Sequence, residues 1–309
     1  MLKYIIRRVI LLIPVMFGVS LIVFSLLYFS PGDPIRNKLG TNASPEQVEA
    51  LREKMGLNDP FLVQYGRYLG NLIFKGSLGT SYITDAPVVS EIASRVGPTI
   101  RLALSATCVA ILIGIPLGVV SAIKQYSVFD NITMVFALLG LSMPVFWLGL
   151  LLILFFSVKL GFFPSSGFAT AKHMVLPALA LGAQSVAVLT RMTRSSMLET
   201  IRQDYIRTAR AKGQKNRVVI FKHALGNSLI PIITVVGIQF GQLMGGAVMT
   251  EVIFSIPGIG RLMVDSIKVR NTPVVLGCVL FVAVTFALVN LLVDILYTFV
   301  DPRIKTQYT

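Results

Sequence analysis

The stretch Leu102-Ala-Leu-Ser-Ala-Thr-Cys-Val-Ala-Ile-Leu-Ile-Gly-Ile-Pro-Leu-Gly-Val-Val-Ser-Ala-Ile123 runs for 22 residues without a charged side chain. A helix of that length rises far enough to cross a hydrocarbon core about 30 Å thick. Five further uncharged stretches occupy 9–32, 131–158, 174–190, 224–250 and 271–293. The shortest, 174–190, has 17 residues and needs flanking residues to span; the longest, 131–158, has 28 and has room to tilt. No other long apolar run remains. The spacing therefore predicts an all-α, polytopic membrane protein with six transmembrane helices.

Composition agrees. Of 309 residues, 54% are hydrophobic and 14% charged, with a mean hydropathy of +0.77, whereas soluble domains carry about 25% charged residues. This excludes intrinsic disorder, a disulfide scaffold and an ordinary soluble enzyme. The net charge of +14 reads as membrane topology and attraction to anionic membrane lipid rather than nucleic-acid binding, because no soluble basic face is available. Cys108 and Cys278 both lie in apolar runs and build neither a disulfide framework nor a metal cluster. Lys3, Arg7 and Arg8 precede the first apolar run as in a signal peptide, but the run is long and lacks a small-residue cleavage pattern. It reads as a retained first helix.

Orientation follows from Lys and Arg in the short connections. With the N-terminus inside, segments 1–8, 124–130, 191–223 and 294–309 hold fifteen basic residues, against five in 159–173 and 251–270. The long 33–101 segment is discounted because long loops translocate largely regardless of charge. Both termini are expected in the cytoplasm.

Two connections are too long to be turns. Segment 33–101 contains Ser44-Pro45-Glu46-Gln47, a capping box with proline at the first helical position. Val48, Leu51 and Met55 then share a face and Gly56 supplies the stop. A second amphipathic helix is expected over Phe61–Phe74, with Leu62, Tyr65, Leu69 and Leu72 on one side. Segment 191–223 holds nine basic residues and two acids, Glu199 and Asp204. Leu198, Ile201, Tyr205 and Thr208-Ala209 recur at helical spacing, Gly213 breaks the helix, and a second stretch resumes with Val218, Phe221 and Leu225. The pattern is helix, glycine elbow, helix. It suits a solvated basic face or a docking element for a cytoplasmic partner.

Absences narrow the chemistry. There is no phosphate loop of the form G-x-x-x-x-G-K-[ST]. No Asp, Glu, Lys, Arg or His lies inside any of the six apolar cores, so a proton-coupled carrier is disfavoured. His173 and His223 fall on opposite sides of the membrane, and no nucleophile has a histidine in the same site. No catalytic, metal or cofactor site is expected. Gly237, Gly241 and Gly245 recur every fourth residue, marking a face for tight helix packing or a pore-lining groove. Gly114, Pro116, Gly118 and Pro144 mark kinks. Gln184, Gln239, Gln242 and Asn290 are candidates to line a path or to bond between helices.

The run Asp204-Tyr-Ile-Arg-Thr-Ala-Arg-Ala-Lys-Gly213, with Arg191-Met-Thr-Arg194-Ser-Ser-Met197 before it, resembles the cytoplasmic loop of ABC importer permeases of the peptide and nickel branch. Arg207-Thr208-Ala209 stands where the wider family has Glu-Ala-Ala, and Gly226 where many relatives have proline. Met1-Leu-Lys-Tyr-Ile-Ile-Arg-Arg8, Pro31-Gly-Asp-Pro34, Leu57-Asn-Asp-Pro60, Glu251-Val-Ile-Phe-Ser-Ile-Pro-Gly-Ile-Gly260-Arg261 and Asp301-Pro302-Arg303 are similar to the same branch.

The resemblance implies a type I ABC importer permease in a bacterial inner membrane. It further implies a homologous second permease subunit, two cytoplasmic ABC ATPases that hydrolyse the ATP, and an extracytoplasmic substrate-binding protein. Asp204, Tyr205, Arg207, Thr208, Ala209, Ala211 and Gly213 would form the element coupling to an ATPase, with Ala209 on the docking face. The cargo would be a di- or oligopeptide, with a nickel chelate or glutathione-like peptide as alternatives. A subunit of a protein-translocation complex is the reading from another class. The organisation is then residues 1–32 as the N-terminus and first span, 33–101 as the extracytoplasmic loop region, and 102–309 as the permease core with its coupling loop at 191–223. Topology is directly testable. In intact cells, Asn58→Cys should react with a membrane-impermeant thiol reagent and Gln214→Cys should not; the reverse labelling would refute the orientation.

Overall fold

The computed structural model describes residues 2–40 and 42–300, and side chains within 5–40 and 42–295; the Asp301-Pro302-Arg303 motif lies outside the described residues. The chain is helical, with an isolated antiparallel bridge between Thr80 and Pro87. Helix α1 (Leu2–Phe29) is followed by the short α2 (Pro34–Leu39), α3 (Pro45–Lys54) and α4 (Phe61–Lys75). Then come α5 (Val88–Ile123), α6 (Val128–Ser142), α7 (Val145–Lys159) and α8 (Ala171–Ile201). After α8 the order is α9 (Asp204–Ala211), α10 (Asn216–Gly246), α11 (Val248–Ile253), α12 (Ile259–Lys268) and α13 (Thr272–Val300).

Helices α1, α5, α8, α10 and α13 are each long and apolar enough to cross a membrane. The expected third span is the pair α6 and α7, which bend by 107° at their junction. The kink expected at Pro144 is therefore a break. Proline forces its predecessor out of the helical region, and Met143 is extended at φ −75°, ψ 128°. Two spans also run well past their apolar limits. Helix α5 begins at Val88 rather than Leu102, because Val88 and Ile92 bury one face while Glu91 and Arg95 stay on the others. Helix α8 continues to Ile201 rather than stopping at Thr190, burying Thr193, Ser196 and Met197.

The chain divides into two compact units, one formed by Ile100–Ile256 and the segment from Phe286, the other by Leu2–Thr99 and Pro257–Thr285. In the first, α8 is the hub, packed against the second half of α5, α6, α7 and α10. Its core joins Leu102, Ala106, Leu176, Leu181, Leu243 and Phe254. Approach to α8 is at backbone distance. A methyl group added to Gly118 would lie 2.7 Å from the Thr190 carbonyl oxygen, and one added to Gly182 would lie 2.8 Å from that of Ala106. A π-helical turn, Ala110–Gly114, precedes Pro116 in α5. The glycine ladder of α10 serves tight packing at two of its rungs: Gly237 abuts Val293 and Gly241 abuts Val289 and Phe286 on α13.

In the second unit α4 lies along α1. Tyr65 donates toward the Phe17 carbonyl (3.3 Å) and shares a 2.9 Å hydrogen bond with Ser20, while Phe24 meets Phe61 edge to face. Helix α4 forms where expected, but its buried side is carried by Phe61, Tyr65 and Leu69, and Leu62 faces outward. An i, i+4, i+8 stripe beginning one residue earlier fits the contact with α1. The capping box at Ser44 and Gln47 is present, and Gly56 ends α3 at φ 64°. Elsewhere in the unit, Val88, Ile92, Ile259, Val274 and Cys278 form a cluster, and the Ile259 N–H donates to Thr99 Oγ1 at 2.9 Å.

Gly118→Val should lower stability by roughly 1–3 kcal/mol through overpacking. Gly18→Ala, with nothing within 4 Å of the added carbon, should be nearly neutral. Thermal unfolding of both variants in detergent checks the contrast.

Candidate functional site

The elbow between α8 and α10 carries exposed side chains on a short helix anchored to its neighbours. Helix α8 ends at Ile201, and Gln203 turns to extended backbone (φ −71°, ψ 150°) before α9 begins. The sequence expectation of one helix from Leu198 to Ala209 is thus corrected to two, broken at Arg202–Gln203. The break rotates α9 so that Ile206 and Ala209 point inward. They pack with Val119 and Ala122 of α5, Met197 of α8, and Val219, Ile220 and Ala224 of α10. Ala209, expected on the docking face, is accordingly packed within the chain, where it and Ile206 anchor the short helix.

The opposite face is open. Tyr205 is 44% exposed, and Asp204, Arg207, Thr208 and Ala211 are also exposed. Asp204 and Arg207 form a solvent-facing pair at 3.8 Å, which adds little stability. Thr208 Oγ1 donates back to the Asp204 carbonyl at 3.0 Å. Val218 and Phe221 are uncovered as well, so aromatic and aliphatic groups stand among the exposed bases Arg202, Arg210, Lys212, Lys215, Arg217 and Lys222.

Gly213 has φ 75°. Its N–H donates to the Arg210 carbonyl (2.9 Å) and the Gln214 N–H to that of Ala209 (3.3 Å), the Schellman arrangement that glycine closes without strain. Gln214 Oε1 then meets His223 Nε2 at 2.7 Å, tying the turn to the returning helix. That fixes the exit direction.

A buried ion pair holds the base of the elbow. Arg194 Nε and Nη2 each donate to Asp130, to Oδ1 and Oδ2, at 2.7 Å. Asp130 also accepts from Ser121 Oγ and from the Tyr126 N–H (2.9 Å). The Asp130 side chain is 2% exposed and that of Arg194 22%. One carboxylate therefore joins α5, α6 and α8. Sequence reading did not single out Asp130. Its signal was the Ser127-x-x-Asp130 spacing, since the Asp130 N–H donates to Ser127 Oγ at 3.2 Å and places the acid in the first turn of α6.

The four path candidates differ in their surroundings. Gln239 donates to Ser185 of α8 at 3.0 Å, so it bonds between helices. Gln242 is exposed, and Gln184 and Asn290 are partly buried. His173 accepts from the Thr170 N–H (3.2 Å) at the start of α8, far in sequence from His223. Among the described residues no cluster of metal-ligating side chains occurs.

Comparison with known proteins agrees with this architecture. Residues 114–306 match the family described as binding-protein-dependent transport system inner membrane component, and residues 1–103 match its N-terminal counterpart. The chain belongs to this family of inner-membrane components of binding-protein-dependent transport systems. It is 46% identical, over 99% of its length and 100% of the relative's, to the dipeptide transport system permease protein DppB of Alkalihalophilus pseudofirmus. It is 41% identical to the glutathione transport system permease protein GsiC of Escherichia coli K12, over 99% of each chain. An inward-facing structure of the MetNI methionine ABC transporter superposes with a TM-score of 0.56 at 19% identity, covering 69% of this chain and 97% of that one. The fold is that of type I ABC importer permeases.

Arg194→Gln leaves the buried Asp130 carboxylate uncompensated and should cost about 3–5 kcal/mol, whereas Asp130→Asn leaves the charge of Arg194, which is 22% exposed, and should cost less. The double variant should recover part of that loss. Melting of the detergent-solubilised proteins checks both statements.

Proposed function

We propose that this chain is one permease half of an ATP-driven peptide importer, with the N- and C-termini in the cytoplasm. A homologous second permease completes the pathway, two ABC ATPases bind beneath it, and an extracytoplasmic binding protein delivers cargo. The observation that carries the coupling role is the exposed face of α9 and the following turn, built from Tyr205, Arg207, Thr208, Ala211 and Gly213. It is an apolar and basic surface on a backbone closed by a Schellman turn. Full-length likeness to a relative named for dipeptide transport supports peptide as the cargo class; similar coverage of a relative named for glutathione transport supports a short peptide of that kind as the second reading.

The mechanism follows from how the elbow is tied. Ile206 and Ala209 key α9 into a cluster shared with α5, α8 and α10, while the Asp130–Arg194 pair joins the base of α8 to α6. A push on the exposed face of α9 is therefore delivered to packed helices rather than dissipated in a loose connection. Packed helices shift between discrete arrangements rather than deforming continuously. The chain itself has no phosphate loop, so nucleotide chemistry falls to the ATPases.

Gly213→Val strains the turn by roughly 1–2 kcal/mol and should misdirect α10. Tyr205→Glu alters the exposed face alone. In the assembled complex both variants should insert normally, and uptake of a labelled dipeptide should fall at least tenfold; Tyr205→Glu should also weaken ATPase retention. Normal uptake and normal ATPase binding in both would refute the coupling role of this face.

A further inference from the structure

Among the described residues, Arg270 is a nearly buried cation without a carboxylate partner. It is 9% exposed and makes no ion pair among the described residues. Its Nη1 donates to the Leu27 carbonyl at 2.8 Å and its Nη2 to Ser30 Oγ at 2.7 Å. The backbone at Gly32 is laid directly against it, since a carbon added there would lie 2.8 Å from Arg270 Nε. The residue itself has φ 61°, a left-handed conformation uncommon for a side chain of this size. Two neutral acceptors compensate a buried guanidinium poorly. The position also matters. The apolar part of α1 ends at Phe29 and that of α13 begins at Thr272, so Arg270 stands at the membrane–water boundary on the side of residues 33–101.

Two concavities adjoin at the residues this arginine bonds. The first, about 400 Å³, is polar, with Ser30, Asp33, Arg52, Gln64, Tyr82 and Arg270 on its walls. Asp33 there is already engaged by Arg52, with Arg36 at 3.9 Å, and caps α2, so the cavity keeps one uncompensated positive charge. Burial pushes the Tyr82 phenol above its ordinary pKa, against an opposing effect of Arg67, leaving a neutral hydroxyl. The second concavity, about 680 Å³, is an apolar groove between α1, α12 and α13, walled by Leu26, Phe29, Met263, Ile267, Val275 and Val279. Leu27 and Ser30, the two residues that Arg270 bonds, line both.

We infer that cavity and groove form one phospholipid site, with the lipid phosphate at Arg270 and an acyl chain along the groove. Guanidinium matches phosphate in charge and in its planar array of donors. An acyl chain gains by covering apolar groove wall. The end of α1 and the start of α13 put the guanidinium at the depth where lipid phosphates lie. The site does not depend on which cargo is transported.

The test uses the full-length chain, delipidated in detergent and titrated with phosphatidylglycerol under native mass spectrometry. Inorganic phosphate and diacylglycerol serve as the chain-less and phosphate-less probes. Phosphatidylglycerol should be retained at least tenfold more tightly than either. Arg270→Gln should lose that preference. Ile267→Glu, at a groove wall that is 45% exposed and away from the guanidinium, should reduce phosphatidylglycerol retention at least tenfold while leaving the melting temperature unchanged. If Arg270→Gln fails to fold, Ile267→Glu decides. Equal retention by parent and Ile267→Glu would overturn the proposal, as would inorganic phosphate or a dipeptide displacing the lipid at equal concentration.

Discussion

Helix α8 can serve as the hub of its unit only because small residues stand where neighbouring backbones meet it. In lipid there is little hydrophobic drive between helices, so association rests on close van der Waals contact and on hydrogen bonds between helices. Gly118 and Gly182 bring α5 and α8 to carbonyl distance along two different turns. The Ser185–Gln239 bond adds a polar link to α10. A hub held this way resists continuous bending, which is the property a helix needs if it is to relay displacement.

The length of α8 turns that constraint toward the elbow. By running to Ile201 it carries Arg194 out to the level of the α5–α6 connection, where Asp130 waits as the first-turn acid of α6. The bidentate geometry specifies orientation as well as attraction. The carboxylate has all its strong acceptor positions used, by Arg194, Ser121 and the Tyr126 N–H, which is the condition under which a buried charge is tolerated. The elbow above it is short, but it is closed at each end: by Ile206 and Ala209 below and by the Gly213 turn beyond.

The second unit solves a different problem, the placement of several short helices at a membrane boundary. Caps do most of that work. Asp33 caps α2 and pairs with Arg52 of α3, and Ser44 with Gln47 closes the start of α3. Aromatic contacts from Phe24, Phe61 and Tyr65 bind α4 along α1. Arg270 and Asn271 then fasten the entry to α13: Arg270 to the end of α1, and Asn271 to Ser81 and the Tyr82 N–H.

Much of the fold was legible in sequence because lipid demands long uncharged helices, and those announce themselves by length alone. The capping box at Ser44, the stop at Gly56 and the left-handed turn at Gly213 were legible too, since each depends on a few adjacent residues. What depends on distant partners was not. The break at Arg202–Gln203 carries no proline or glycine, and it turns Ala209 inward only because Val119, Met197 and Ile220 are there to receive it. Pro144 announced a disruption but not a 107° bend, because proline removes a hydrogen bond without dictating where the next helix goes. Asp130 was not singled out, because its partner Arg194 lies sixty-four positions away and only tertiary packing brings it into reach. Local sequence determined which segments are helical and where they must stop; which face of each helix is buried, and which charge is paired, was decided by the neighbours that packing supplied.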